Sequence, residues 1–322
     1  MLESKPSVIF ETIRETLADP SNRLTVSRLC EAAGVSKSGY YRWLSAEGQR
    51  AAREADDQDE FAWIMKAYEY RGYDKGVQGI CMRLQRMEHP MNPKKIRRLM
   101  HKFGLKCPIR KANPYRRMAK AMKTSNYASN ILERNFVGLG PRKALLTDIT
   151  YIPFRGHFIY VSPVLDACTK EALSHNRGVS LEMPLVKKML DDLKRDHGDE
   201  LSPETLIHSD QGCHYTSHLF IETVESMGLI RSMSRRGNCW DNAPQESFFG
   251  HMKDEIGDKI AACETDEGAF KVIDEWFDYY NIDRPIWGLR RMTPVEYLEY
   301  LKKGGEIIVP KKYPKKKKKE GE

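Results

Sequence analysis

Features that would place this chain in a membrane, in the secretory pathway or among zinc proteins are missing from it. No run of about eighteen apolar residues occurs, so no transmembrane helix is predicted. The polar N-terminus lacks the apolar segment of a signal peptide, and we therefore expect a cytoplasmic protein. The seven cysteines show no CxxC pair and no His/Cys cluster of ligand spacing, which indicates reduced thiols and argues against a zinc site.

Acidic residues are absent from one long stretch. Between Glu88 and Glu133 there is no Asp or Glu, whereas Lys and Arg number twelve. This block more than accounts for the formal net charge of +8. Because each neutralised phosphate releases counterions, such a block is typical of a nucleic-acid contact. We also expect most of these cations to lack an internal acidic partner and to face solvent or phosphate.

The N-terminal part of the chain has the periodicity of short amphipathic helices. Residues 6–18 predict the first, and LTVSRLCEAAGVSKSGYYRWL has helix-turn-helix spacing, with Gly34 at the turn and Ser36 as a cap. Taken alone, this spacing fits a plain helical hairpin equally well. A charged spacer over residues 50–59 is expected to lead into a second helical unit.

The second helical unit ends in a basic helix, predicted from Pro93 to Phe103. We interpret its outer face as DNA-binding, through Lys94, Lys95, Arg97, Arg98 and Lys102. The segment after it has little apolar periodicity and predicts an extended basic linker along DNA. Its candidate contacts are Arg110, Lys111, Arg116 and Arg117.

The C-terminal part alternates strand and helix patterns. ALLTDITYIPF and HFIYVSPVLDAC predict two strands around a turn at Arg155 and Gly156, and EALSHNRGVS predicts a third. A helix over 182–196, a strand ending at Asp210, a helix over 217–227, a strand near Ile230 and another helix follow. This order supports a mixed α/β domain. A helix over 265–280 is expected to pack on it, and the Lys-rich end is expected to be disordered.

Three carboxylates stand out in this part of the chain. Asp148 lies in the strand-like LLTDITYI, Asp210 at a strand end and Glu246 in a helix, and thirty-five residues separate the last two. Two Mg²⁺ or Mn²⁺ ions that bridge a phosphodiester need hard oxygen ligands of this kind. Asp166, at another strand end, is expected to be structural.

The sequences around these carboxylates resemble the IS3 family of bacterial insertion-sequence transposases, in particular its second-frame product with a retroviral-integrase-like (rve) core. TDITYI, HSDQGCHYTS and SRRGNCWDNAPQESFFGHMKDE correspond to the family's D, D and E blocks, and YYNIDRPIWGLRRMTPVEYL to its closing signature. Leu145 and Leu146 stand where the family usually has Trp, and Ile286 where it usually has His.

The resemblance implies a ribonuclease-H-like catalytic domain, a mixed five-stranded sheet with helices, preceded by all-α helix-turn-helix units. It implies that Asp148, Asp210 and Glu246 form the metal-binding catalytic triad of a DDE transposase. This enzyme would use two Mg²⁺ (or Mn²⁺) ions to cleave and transfer strands at insertion-sequence ends. A catalytically inactive DNA-binding protein and a nuclease that cuts without joining are the alternatives.

The expected partners follow from the same resemblance. They are double-stranded DNA (terminal inverted repeats and target), further copies of the chain, and an upstream-frame protein with a helix-turn-helix and a leucine zipper, at the bacterial nucleoid. Further candidate DNA contacts are Arg235 and Arg236 in the third block and Arg284, Arg290 and Arg291 in the closing signature.

The expected domains divide the chain into six parts. They are a helix-turn-helix (1–50), a second helical unit (51–107), a basic linker (108–140), the catalytic core (141–258), a C-terminal helical segment (259–304) and a Lys-rich tail (305–322).

Overall fold

The computed structural model describes residues 6–72, 76–107, 128–132, 138–234 and 243–308. The chain divides into two compact units, one of Met1–Lys66 with Lys94–Leu105 and the other of Ala67–Pro93 with Lys106–Glu322. Among the described helices, none is both long and apolar enough to span a bilayer.

The N-terminal part is all-helical. Its helices are α1 (Pro6–Ala18), α2 (Val26–Ala32), α3 (Lys37–Ser45), α4 (Glu47–Glu69), α5 (Val77–Arg86) and α6 (Pro93–Lys102). The predicted helix-turn-helix is confirmed: Gly34 takes the left-handed conformation at the turn, and the Ser36 side chain accepts a hydrogen bond from Gly39 N at the start of α3. Ile13, Cys30 and Tyr40 form the small core that holds α1, α2 and α3 together.

The spacer expected over residues 50–59 is wrong, because these residues lie within α4. After Gly48 this helix contains neither Gly nor Pro, and its charged part is rich in Ala, Arg, Glu and Gln, which favour helix. The charge pattern was read as a solvated connection, whereas it belongs to a helix whose acidic residues have partners in α6.

The C-terminal part contains one mixed sheet. Its strand segments are β1 (Ala144–Thr147), β2 (Thr150–Phe154), β3 (His157–Asp166), β4 (Ala172–Gly178), β5 (Leu206–Ser209) and β6 (Ile230–Met233). β3 pairs antiparallel with β1, β2 and β4, whereas β5 runs parallel to both β1 and β6.

The first two segments are halves of one strand. Leu145 pairs with Asp166 in β3. Thr150, which lies five residues further along the chain, pairs with Val161, which lies five residues before Asp166 in β3. The pairing therefore keeps one register across the interruption at residues 148–149. Counted in this way the sheet has the five strands that were predicted. The β2–β3 turn is also confirmed, since Arg155 and Gly156 both have positive φ, as a two-residue type I′ hairpin requires.

Helices cover both faces of this sheet. They are α7 (Met183–His197), α8 (His218–Ser226), α9 (Ala243–Ala261), α10 (Asp266–Ile282) and α11 (Pro294–Lys302). Leu145 packs in a cluster with residues of α7 and α8, whereas its neighbour Leu146 packs with residues of α9 and α10. This alternation defines an α7/α8 face and an α9/α10 face. The predicted order of strands and helices is confirmed, with α10 packed on the core.

Candidate active site and basic surface

Asp148 and Asp210 follow two adjacent parallel strands. In the pairing of β1 with β5, Leu146 lies opposite His208. Continuing this register by two residues brings Asp148 level with Asp210, on chains that are about 4.8 Å apart in a sheet. Two residues is one full period of the strand, so both side chains project to the side of Leu146, the α9/α10 face.

Asp148 occupies the interruption between β1 and β2. It is half-buried, and its Oδ1 accepts a hydrogen bond from the backbone N–H of Ile149 at 2.8 Å. Sequence reasoning placed this residue in the middle of a continuous strand. The interruption is what releases its side chain and backbone from the regular pairing of the sheet.

Asp210 is held by the turn that follows it. The backbone N–H of Gly212 donates to Asp210 Oδ1 at 2.8 Å. A Cβ added at Gly212 would lie 2.8 Å from the same oxygen, so only glycine fits there without displacing the carboxylate. Burial raises the pKa of Asp210, although the Gly212 hydrogen bond and the nearby His214 act in the opposite direction. The site thus disfavours an isolated negative charge, which a bound cation would stabilise.

Glu246 lies in the first turn of α9 and is half-buried. Phe248 and Met252 of the same helix pack with Leu146, which puts α9 on the face to which the two aspartates project. The preceding residue, Gln245, is fully buried, and neither polar atom of its amide has a hydrogen-bond partner among the residues that the structure describes. Residues 235–242, which include the candidate DNA contacts Arg235 and Arg236, lie outside the described residues.

The three candidate residues have the ligand chemistry that a hard divalent cation requires, and their positions agree with such a site in part. All three candidates are carboxylates, which Mg²⁺ and Mn²⁺ prefer. Continued past its last pair, Leu146 with His208, the strand register would bring Asp148 level with Asp210, and Glu246 lies in the helix that packs with Leu146. Within the described ranges, however, no three His, Cys, Asp or Glu side chains form a group that could hold a metal ion.

Two polar residues near the site have structural surroundings. Asp166 is fully buried, forms an ion pair with Arg142 at 3.1 Å and accepts a backbone hydrogen bond from Cys168 at 2.8 Å, in line with the structural role expected for it. His208 is buried between the hydroxyls of Ser232 and Ser234, at 2.9 and 3.0 Å from its two ring nitrogens.

The basic face of α6 has acidic partners on α4. Arg98 donates two hydrogen bonds to Asp57, at 2.7 and 2.8 Å. Lys102 contacts the carboxylates of both Asp57 and Glu54, and Lys95 pairs with Glu60. We call this set of ion pairs the α4–α6 clasp.

The clasp corrects one expectation from the sequence. The idea that these cations lack acidic partners is wrong for Lys95, Arg98 and Lys102, because acids far away in the sequence lie next to them in space. Lys94 and Arg97 are exposed.

Arg284 does not face solvent. Only 15% of its side chain is exposed, and it donates to the Glu255 carboxylate at 2.6 and 2.9 Å, while the Trp276 indole donates to the same carboxylate at 2.9 Å. The expectation that Arg284 reaches DNA is therefore wrong. Arg290 and Arg291 are exposed, whereas the linker candidates Arg110, Lys111, Arg116 and Arg117 lie outside the described residues.

Comparison with known proteins agrees with this arrangement. Residues 139–239 and 227–294 match families described as "Integrase core domain", and residues 54–113 match an "HTH-like domain". The putative transposase InsK for insertion sequence element IS150 of Escherichia coli K12 is 31% identical over 274 residues, which cover 84% of this chain and 93% of that protein. The transposase InsF for insertion sequence IS3A of the same organism is 25% identical, over 71% of this chain and 78% of that protein.

Among solved structures, a simian T-cell lymphotropic virus intasome is similar with a TM-score of 0.43 and 12% identity, over 78% of this chain and 76% of that chain. The sequence relationship is much stronger than this structural one. On the shared integrase core and the extent of the match to InsK, the chain belongs to the IS3 family of insertion-sequence transposases.

Proposed function

We propose that this transposase cleaves and rejoins DNA at a metal site formed by Asp148, Asp210 and Glu246. The observation that supports the proposal is the register of β1 with β5, whose continuation by two residues would make the two aspartates neighbours at the carboxyl ends of parallel strands. Both would then project to the face covered by the helix that carries Glu246. In α/β sheets this edge is where ligands bind.

The residues of the chain act by binding and orienting. Asp148 and Asp210 would hold the divalent ions from the ends of their strands, and Glu246 would complete the ligand set from α9. Two bound Mg²⁺ or Mn²⁺ ions would supply activation of the attacking oxygen and charge stabilisation at the phosphate. Gly212 N–H fixes one oxygen of Asp210 and leaves the other available to a cation. No covalent protein intermediate is needed, because water and then a DNA 3′-OH can attack in turn.

The DNA partners follow from the basic residues and the family. We propose that insertion-sequence terminal repeats and target DNA bind along α6, the linker 108–140 and the third block, in an assembly of several copies of the chain. An upstream-frame partner and a location at the nucleoid are part of the same proposal, as are the six domains set out above. Within α6, the exposed Lys94 and Arg97 are the first contacts to test.

The test is a pair of assays, nicking of a duplex with an element end and joining of a pre-nicked end to target DNA. Asp148→Asn, Asp210→Asn and Glu246→Gln should each abolish both reactions and leave DNA binding largely intact. Asp191→Asn, an exposed acid of α7, is the matched control and should retain both. Near-normal joining by any of the three site variants would contradict the assignment, and nicking without joining by the wild type would indicate a nuclease.

A further inference from the structure

A buried tyrosine lies behind the two aspartates, on the other face of the sheet. Tyr215 belongs to the turn between β5 and α8, and its side chain packs in the apolar cluster of the α7/α8 face with Leu145 and Val164. Its ring meets Phe220 edge-on at 5.2 Å. We propose that Tyr215 is a positioning residue that sets the spacing between Asp148 and Asp210, an inference that rests on the proposed function.

The backbone of the turn connects Tyr215 to Asp210. Gly212 donates its N–H to the Asp210 carboxylate, and its carbonyl oxygen accepts the N–H groups of Tyr215 and Thr216 at 3.1 and 3.2 Å. A single peptide segment is therefore bonded to the carboxylate on one side and to Tyr215 on the other. A shift of the tyrosine ring moves the turn, and the turn carries the donor that orients Asp210.

The phenol of Tyr215 connects the same turn to Asp148. Burial raises the pKa of Tyr215 well above its ordinary value, the charges of Asp148 and Asp210 add to this rise, and the hydroxyls of Thr147 and Ser162 oppose it. The phenol is thus a neutral O–H group. Thr147 pairs with Val164, which packs in the same cluster as Tyr215, so the register puts the phenol on the face of the sheet that carries the Thr147 hydroxyl.

These hydroxyls form a buried group that is not yet regularly bonded. The side-chain oxygens of Thr147, Ser162 and Tyr215 are all buried, and none has a partner of regular hydrogen-bond geometry among the described residues. Thr147 is the last residue of β1 and directly precedes Asp148, so a contact from Tyr215 to Thr147 fixes the strand end from which Asp148 projects.

The experiment measures metal binding directly. Mn²⁺ is titrated into the full-length protein by calorimetry, for the wild type, Tyr215→Phe and Thr147→Val, each of which removes one hydroxyl at nearly constant size. Partners that orient metal ligands typically contribute about 10- to 100-fold in affinity. We expect a loss of about tenfold in each variant, with nicking restored at high Mg²⁺ concentration. Tyr280→Phe, at a buried tyrosine of the α9/α10 face, is the control and should keep wild-type affinity.

The outcomes separate this inference from the proposed function. Unchanged Mn²⁺ affinity in Tyr215→Phe would overturn the positioning role and leave the carboxylate site standing. An equal loss of Mn²⁺ affinity in Tyr280→Phe would also overturn the positioning role, because the loss would then reflect a general destabilisation of the core. If Tyr215→Phe does not fold, Thr147→Val decides the question by the same criterion. A wild-type protein that neither binds Mn²⁺ nor nicks DNA would instead refute the proposed function itself.

Discussion

The α4–α6 clasp predicts that removing the charge of one of its acids increases the affinity of the protein for DNA. Asp57 holds Arg98 through two hydrogen bonds and Lys102 through one, and its side chain is 15% exposed. Arg98 first and Lys102 second hold the pKa of Asp57 well below its usual range, so the carboxylate stays charged wherever DNA binding is measured. It therefore competes with phosphate for the two cations.

Asp57→Asn keeps the size of the side chain and removes its charge, which frees Arg98 for DNA, whereas Lys102 keeps the Glu54 carboxylate as a partner. Each additional phosphate contact steepens the plot of log affinity against log salt by about 0.9. One new contact would add about 0.9, so a fourfold rise in salt would weaken the variant roughly 3.5-fold more than the wild type. At low salt, the variant should bind more tightly than the wild type.

The assay is fluorescence anisotropy with an element-end duplex at several salt concentrations. Asp56→Asn is a matched control, since it makes the same change of charge one residue away, and Asp56 is exposed with no ion pair among the described residues. Adding Arg98→Ala to Asp57→Asn should cancel most of the gain. Equal salt slopes for Asp57→Asn, Asp56→Asn and the wild type would refute the competition and leave α6 as a solvated face.

Three further predictions concern the catalytic domain. Gly212→Ala should lower nicking about tenfold or more, because the new Cβ would lie 2.8 Å from Asp210 Oδ1, while Gly257→Ala, with open space around its Cβ, should not; equal rates for the two would contradict this. Glu255→Gln should destabilise the fold by about 3–5 kcal/mol in urea unfolding, since Arg284 stays largely buried and charged, whereas exposed Glu275→Gln should cost almost nothing. Mg²⁺ and Mn²⁺ should support nicking, Ca²⁺ should support DNA binding without nicking, and full activity in EDTA would exclude the metal mechanism.

Local pattern was enough to predict the elements of the catalytic domain. Apolar spacing placed α7 and α10 within one or two residues of their observed bounds, and the sequence order of strands and helices predicted the sheet. The resemblance to a family then identified the carboxylates. What the pattern could not show is that the strand carrying Asp148 is interrupted, because an aspartate inside an alternating run reads as part of it.

Ion pairs between residues that are far apart in the sequence could not be predicted, for a different reason. Arg98 and Asp57 are forty-one positions apart, and Arg284 and Glu255 twenty-nine, so a local count of charges cannot reveal either pair. Tyr215 was missed because a single tyrosine in a turn gives no local signal of its neighbours across the sheet. Only the positions of Thr147 and Ser162 across the sheet show that its hydroxyl has polar neighbours.

Because β1 and β2 keep a single register against β3, the number of residues between Asp148 and the hairpin is fixed. Asp148 is separated from the Arg155–Gly156 hairpin by a fixed number of paired residues, and successive residues alternate between the faces of the sheet. Inserting or deleting one residue between Asp148 and the hairpin would force either the carboxylate or all of β2 to turn over. Substitutions there can be accommodated, but changes of length cannot. The hairpin tip carries a constraint of its own, because Gly156 has a φ of 89° that a residue with a side chain adopts only with strain.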